Sequence, residues 1–162
     1  MTSTPNGKPV AIASDHAGFK LKEQLKSALE ELGFDFEDLG TTDESSCDYP
    51  DFAHAVATGV VSGRYRYGVL VCGTGIGMAI VANKVPGVRA ACCHDTYSAE
   101  RARKSNDAQV LCLGAQIVGP ALARDVLVRW LESEFGGGRS TRKVEKIKRL
   151  DARAEVGPPP SA

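Results

Sequence analysis

The sequence predicts an α/β fold: a doubly wound, five-stranded parallel sheet with helices on both faces, plus a C-terminal helix. Three observations predict it. Short, continuously apolar runs alternate with longer segments of helical periodicity, the pattern of strands buried on both faces and joined by crossover helices. The connections between them carry the Gly, Asn, Asp and Ser that mark turns. One run ends in a glycine-rich turn that leads straight into a helix, a Rossmann-like arrangement. At 162 residues, 43% hydrophobic and 25% charged, the chain suits one domain with a full core. That domain is expected over 8–152, between a polar leader, 1–7, and a Pro-rich tail, 153–162, both read as disordered.

The first strand is Val10-Ala11-Ile12-Ala13, closed by Ser14-Asp15-His16. Helical periodicity follows from Ala17 to Leu32, with Phe19, Leu21, Leu25, Ala28, Leu29 and Leu32 near one face and Gly33 as the stop. Phe34-Asp35-Phe36 reads as a short second strand, and a Thr/Ser/Asp-rich loop then delivers Asp48-Tyr49 to a helix opened by Pro50 and ending near Val61. His54 lies inside that helix and reads as structural or exposed. The third strand, Gly68 to Cys72, runs into Gly73-Thr74-Gly75-Ile76-Gly77 and a short helix. Val88 to Cys92 forms the fourth strand, and Asp95 or Thr96 caps the helix that ends at Ser105-Asn106-Asp107. Gln109 to Leu113 is the fifth strand, and Pro120 to about Phe135 the longest helix, with Leu122, Val126, Leu127, Trp130 and Leu131 at core spacing. A triple glycine then releases Arg139, and Arg142 to Ile147 begins the last helix.

Composition excludes several classes. Twenty basic residues balance twenty acidic ones, so no electrostatic case exists for nucleic acid or an anionic membrane. The N-terminus lacks the pattern of a secretory signal, and no apolar run reaches the ~18 residues of a membrane span. The five cysteines, at 47, 72, 92, 93 and 112, show no C-x-x-C spacing and read as free thiols in the cytoplasm. Three scattered histidines offer no metal-ligand spacing such as H-E-x-x-H, so no metal or cofactor is expected.

The chemistry concentrates on the turn after the third strand. Gly73, Gly75 and Gly77 remove side chains where backbone N–H groups must approach a ligand, and a helix start favours negative charge there. A cysteine at the edge of that field, Cys72, is a candidate base or nucleophile. Ligands of open α/β sheets bind at the carboxyl ends of strands, so Asp15-His16, Cys72 and His94-Asp95 are expected to share one crevice. A base, hydroxyls, imidazoles and an anion loop suit proton transfer beside a carbonyl, with the loop and Thr74 stabilising an enediolate. Arg139, Arg142 and Lys143 after the flexible glycines suit a phosphate, although a solvated basic helix has the same composition. His16 and His94, each taken alone, read equally as structural histidines.

Several of these segments together, Ala13-Ser14-Asp15-His16-Ala17-Gly18, Asp48-Tyr49-Pro50, Cys72 through Gly77, Ala82-Asn83-Lys84, Arg89-Ala90 and Asp95-Thr96-Tyr97-Ser98-Ala99, resemble type B ribose-5-phosphate isomerases. The wider family includes galactose-6-phosphate isomerase subunits. The resemblance covers about residues 8–150. It implies interconversion of ribose 5-phosphate and ribulose 5-phosphate, with Cys72 as the base and the loop of Gly73, Thr74, Gly75, Ile76 and Gly77 stabilising the enediolate. It further implies that Asp15, His16 and Tyr49 line the sugar site, that Asn106 comes from a neighbouring subunit, and that Arg139 and Lys143 hold phosphate. A homodimer or homotetramer with sites across the dimer interface is implied in the same way.

Three positions depart from the family pattern: Ser105 and Ser140 stand where relatives carry histidine, and Gln116 where they carry arginine. The first histidine is the group that opens the furanose ring, and the arginine binds phosphate. The departures point to another phosphosugar, a tetrose or hexose phosphate, or to His94 as a substitute imidazole. Two readings from other classes stay open. A nucleotide-binding module would use the glycines and Asp95, but the spacing is G-x-G-x-G rather than G-x-G-x-x-G. A regulatory protein would use Cys72 as a redox sensor, or bind sugar phosphates without turnover.

Overall fold

The computed structural model describes residues 7–153; the expected leader and tail otherwise lie outside the described residues. Five strands, β1 (Val10–Ser14), β2 (Phe36–Asp38), β3 (Tyr67–Cys72), β4 (Ala90–Cys92) and β5 (Val110–Gly114), form one parallel sheet in the order β2-β1-β3-β5-β4. Six helices connect and follow them: α1 (Phe19–Glu31), α2 (Tyr49–Val61), α3 (Ile76–Ala82), α4 (Thr96–Lys104), α5 (Pro120–Leu131) and α6 (Thr141–Arg153), the last preceded by a 3-10 turn at Gly138–Ser140.

Alternation along the strands divides the core. Val10, Ile12, Val69, Val71, Leu111 and Leu113 face α1, α4 and α5, where Leu25, Leu29, Leu127 and Trp130 are fully buried. Ala11, Ala13, Leu70, Cys72, Val110 and Cys112 face α2 and α3 through Ala53, Val56, Met78 and Ala82. Both sheet faces are therefore covered, the reason the strands read as continuous apolar runs.

Several boundaries differ from expectation, each for a local reason. α1 starts at Phe19 rather than Ala17, because Asp15 Oδ1 accepts from Gly18 N at 3.0 Å and spends those residues in a turn. β2 begins at Phe36, since Phe34 N still bonds back to Leu29 O at the end of α1. β4 is confined to Ala90–Cys92, the stretch that pairs with β5. α5 ends at Leu131 and not near Phe135, where Ser133 Oγ donates to Arg129 O at 2.7 Å. Leu122 is 41% exposed: the buried stripe runs through Ala123, Val126, Leu127 and Trp130, one position away. α6 continues through Arg153, a residue expected in the tail.

Lys22 lies on the buried stripe of α1, its ammonium paired with Asp38 at the end of β2 and with Glu23 Oε1 at 3.0 Å. Burial raises the Asp38 pKa, but Lys22, the Gly40 N–H and Lys26 outweigh it and hold the carboxyl below its ordinary value.

The entry into α1 is steric as well as polar. A Cβ on Gly18 would stand 2.5 Å from Val71 O, in the backbone of β3. Gly18→Ala is expected to destabilise the protein by about 1–3 kcal/mol in urea denaturation, because backbone on both sides must shift; a loss under about 0.5 kcal/mol would contradict this packing.

Candidate active site

The chain reverses direction across the sheet between β1 and β3: β2 lies on one side of β1, and β3 on the other. Diverging loops at such a switch point open a crevice at the carboxyl ends of the strands. Ser14 pairs with Val71, so Asp15 and Cys72 stand side by side one residue further on. They line a cavity of about 510 Å3 together with Tyr49, Gly73, Thr74, Ile76 and Gly77. Seven expected site residues thus meet in one place. Ala17 and Ile80 complete the lining; both are small or apolar and carried no chemical signal in the sequence.

The glycine loop is shaped by what surrounds it. Gly75 has φ +76°, and a Cβ there would come within 2.9 Å of both Cys92 Sγ and the Leu113 backbone. Its N–H donates to Cys72 Sγ at 3.1 Å. A Cβ on Gly77 would enter the Tyr49 ring at 2.6 Å, so the absent side chain seats the tyrosine. Gly114, at the end of β5, lies under Thr74, whose carbonyl would be 2.7 Å from an added Cβ. Ala115 N and Gln116 N donate to the carbonyls of Cys72 and Gly73, at 2.9 and 3.0 Å. The Gln116 side chain lies over Gly73, 3.4 Å from where a Cβ would stand.

Neither of the two expected histidines, His16 and His94, is among the residues that line this cavity, and their settings differ. Cys47 N donates to His16 Nδ1 at 3.2 Å, so that nitrogen carries a lone pair and the neutral ring bears its proton on Nε2, as a donor. His94 does not share the crevice, contrary to expectation, because β5 lies between β3 and β4. Its Nε2 accepts from Gly114 N at 2.9 Å, which fastens the ring to the end of β5 beneath the loop. Asp95 caps α4, accepting from Ser98 N at 2.7 Å. His54 is exposed on α2.

Asn106, Arg139, Arg142 and Lys143 are at the other end of the sheet. α4 starts beyond β4 and descends to the start of β5, so Ser105 and Asn106 sit beside the amino ends of the strands. Arg89 Nε donates to the Asn106 carbonyl at 3.1 Å, and Asp107, at φ +48°, bridges Arg89 and Arg103. Gly136 N donates to Lys104 O at 3.0 Å, bringing the segment after α5 to the same place. Arg139, Arg142 and Lys143 there line a cavity of about 690 Å3 with Arg101, Ser105 and Ser140. Arg101 was legible as the residue four before Ser105 on one helix face, yet had no motif to mark it.

Residues 10–147 match the family model described as Ribose/Galactose Isomerase. The chain belongs to that family. It is 49% identical over 142 residues to the ribose-5-P isomerase B of Listeria innocua, covering 88% of this chain and 96% of the relative. It is 51% identical over 140 residues to the D-erythrulose-4-phosphate isomerase of Pectobacterium atrosepticum, covering 85% and 91%. Ribose-5-phosphate isomerase B of Clostridium thermocellum superposes with a TM-score of 0.88 at 44% identity, over 90% of this chain and 98% of that one. The Mycoplasma genitalium enzyme with bound ribulose-5-phosphate superposes at 0.87 with 37% identity, over 91% and 99%.

Burial pushes the Cys93 thiol up to about 12, with Cys92 and Asp95 adding to it, and burial drives Cys112 well above its ordinary value. Iodoacetamide at pH 8 is expected to label Cys93 and Cys112 at least about 100-fold more slowly in the folded chain than in urea, since thiolate is the reacting form. Peptide mass spectrometry reads the rates; equal labelling in both states would contradict the buried placement.

Proposed function

We propose that this chain is an aldose–ketose isomerase of phosphosugars in which Cys72 moves a proton between the first two carbons. The observation that carries the reading is the Gly75 N–H directed at Cys72 Sγ at 3.1 Å, in a cavity that also contains Asp15, Thr74 and Tyr49. The Cys72 thiolate takes the proton from C2 of the open-chain aldose, and the electron pair moves toward O1 to leave an enediolate. Backbone N–H groups of the Gly73–Gly77 loop, with the Thr74 hydroxyl, stabilise the negative oxygen. The hydroxyl proton passes from O2 to O1, and Cys72 returns its proton to C1 to give the ketose. His16 donates from Nε2 to a substrate oxygen, whereas His94 is a positioning residue that holds the end of β5 under the loop.

The phosphate requires a second copy of the chain. The strands between the two cavities span five residues of β5, about 16 Å at 3.3 Å per residue, whereas a fully extended five-carbon phosphosugar is only about 10 Å long. No single substrate bridges both ends of one chain. A homodimer that sets the amino-end basin of one copy against the Cys72 cavity of the other supplies Asn106, Arg139, Arg142 and Lys143 in trans.

Ribose 5-phosphate and ribulose 5-phosphate are the primary substrate pair. A second reading, a four-carbon phosphosugar, is favoured by Ser105, whose hydroxyl accepts from Arg101 at 2.8 Å and has no acid–base range near neutral pH. A tetrose phosphorylated on O4 cannot close a furanose ring, so it needs no ring-opening group. The two readings separate in one experiment. With wild type, Ser105→His and Cys72→Ala in parallel, Cys72→Ala is expected to lose at least about 1000-fold of kcat/KM on any substrate used. Under the tetrose reading, Ser105→His raises kcat/KM on ribose 5-phosphate relative to that on the tetrose phosphate by at least about tenfold, because any lost phosphate contact weakens both substrates alike. Full activity of Cys72→Ala would overturn the proposed base.

A further inference from the structure

We propose that Arg101 is a ligand for the phosphate group, the fourth cation of the amino-end basin, and that Ser105 both fixes it and donates to the same anion. This rests on the phosphosugar reading above. The basin of about 690 Å3 is lined by Arg101, Arg139, Arg142 and Lys143 with the hydroxyls of Ser105 and Ser140, and no carboxylate is among its lining residues. Four cations facing one cavity repel one another until an anion enters.

Arg101 is held for that task. Its Nε and Nη2 both donate to Ser105 Oγ, at 3.1 and 2.8 Å, across one turn of α4. A guanidinium fixed in this way loses little further freedom when it binds a phosphate oxygen. Accepting two hydrogen bonds leaves the Ser105 O–H proton free to donate. Arg101 is not neutralised by its acidic neighbour: Glu100 lies 3.6 Å from Arg101 Nη1, but is shared with Lys104 at 3.4 Å and Arg129 at 3.7 Å. A dianionic, tetrahedral phosphate ester matches the basin in charge and donor geometry.

Arg101→Met and Arg101→Lys test the assignment, read by steady-state kinetics on ribose 5-phosphate and a tetrose 4-phosphate, and by calorimetric titration with inorganic phosphate. Arg101→Met is expected to raise KM for the phosphosugar and Kd for inorganic phosphate by about 10–100-fold, with a much smaller fall in kcat, and Arg101→Lys to recover part of both. A role confined to closing the end of α4 would lower Tm and leave KM and phosphate Kd within about twofold, which would overturn the proposal. Phosphate binding that depends on Arg101 in a wild type without isomerase turnover would sink the isomerase reading and uphold the anion site. Turnover with no effect of Arg101→Met on KM would sink the anion assignment alone.

Discussion

The carboxyl end of this sheet depends on one close approach: a backbone loop lying directly on the end of β5 with no side chain between. Gly75 is wedged between Cys92 Sγ and the backbone of Leu113, and Gly114 passes beneath the Thr74 carbonyl. A methyl group at either position would lift the loop, and the Gly75 N–H would leave Cys72. The fastening bonds come from the opposite direction, from Ala115 and Gln116 N–H to the loop carbonyls and from Gly114 N–H to His94. Under the proposed function, the donors that meet charge developing on the substrate are thereby positioned before the reaction begins, which is the basis of electrostatic preorganisation.

The same winding that builds this site separates it from the basic basin. A crossover helix runs antiparallel to the strands it joins, so α4 carries Arg101 and Ser105 away from the carboxyl ends. The Gly136 bond to Lys104 then draws Arg139 and its neighbours to the same place. The Cys72 cavity and the basic basin consequently lie at opposite ends of one chain. Under the proposed function a symmetric pair of chains resolves the separation, each copy offering its basin to the other's cavity so that two equivalent sites result.

Much of the fold was legible because each signal was local: runs buried on both faces, Gly33 and Pro50 at helix ends, and Asp95 as a cap. The cavity around Cys72 was legible for the same reason, since Asp15 and Cys72 each follow an apolar run. Strand order was not. The insertion of β5 between β3 and β4 removes His94 from the crevice and gives it the Gly114 N–H, a long-range pairing that no periodicity encodes. Leu122 reads as core by residue type, yet the stripe that faces the sheet begins one residue later. Lys22 carried no signal of burial in the sequence, yet it is fully buried, with Asp38 and Glu23 receiving its charge. Arg101 escaped notice because a lone arginine on a charged helix has no meaning until Arg139, Arg142 and Lys143 surround the same cavity.

If one site draws on two chains, subunit mixing restores activity that neither variant has alone. Cys72→Ala and the double variant Arg139→Ala/Lys143→Ala are purified separately, each with little activity, then unfolded together and refolded as a mixture. Random pairing makes half the dimers mixed, each with one site lacking every substitution, so about a quarter of wild-type activity is predicted to return. Mixed dimers that form, as seen by native mass spectrometry, yet recover no activity would show that the base and the basin act within one chain and contradict the account.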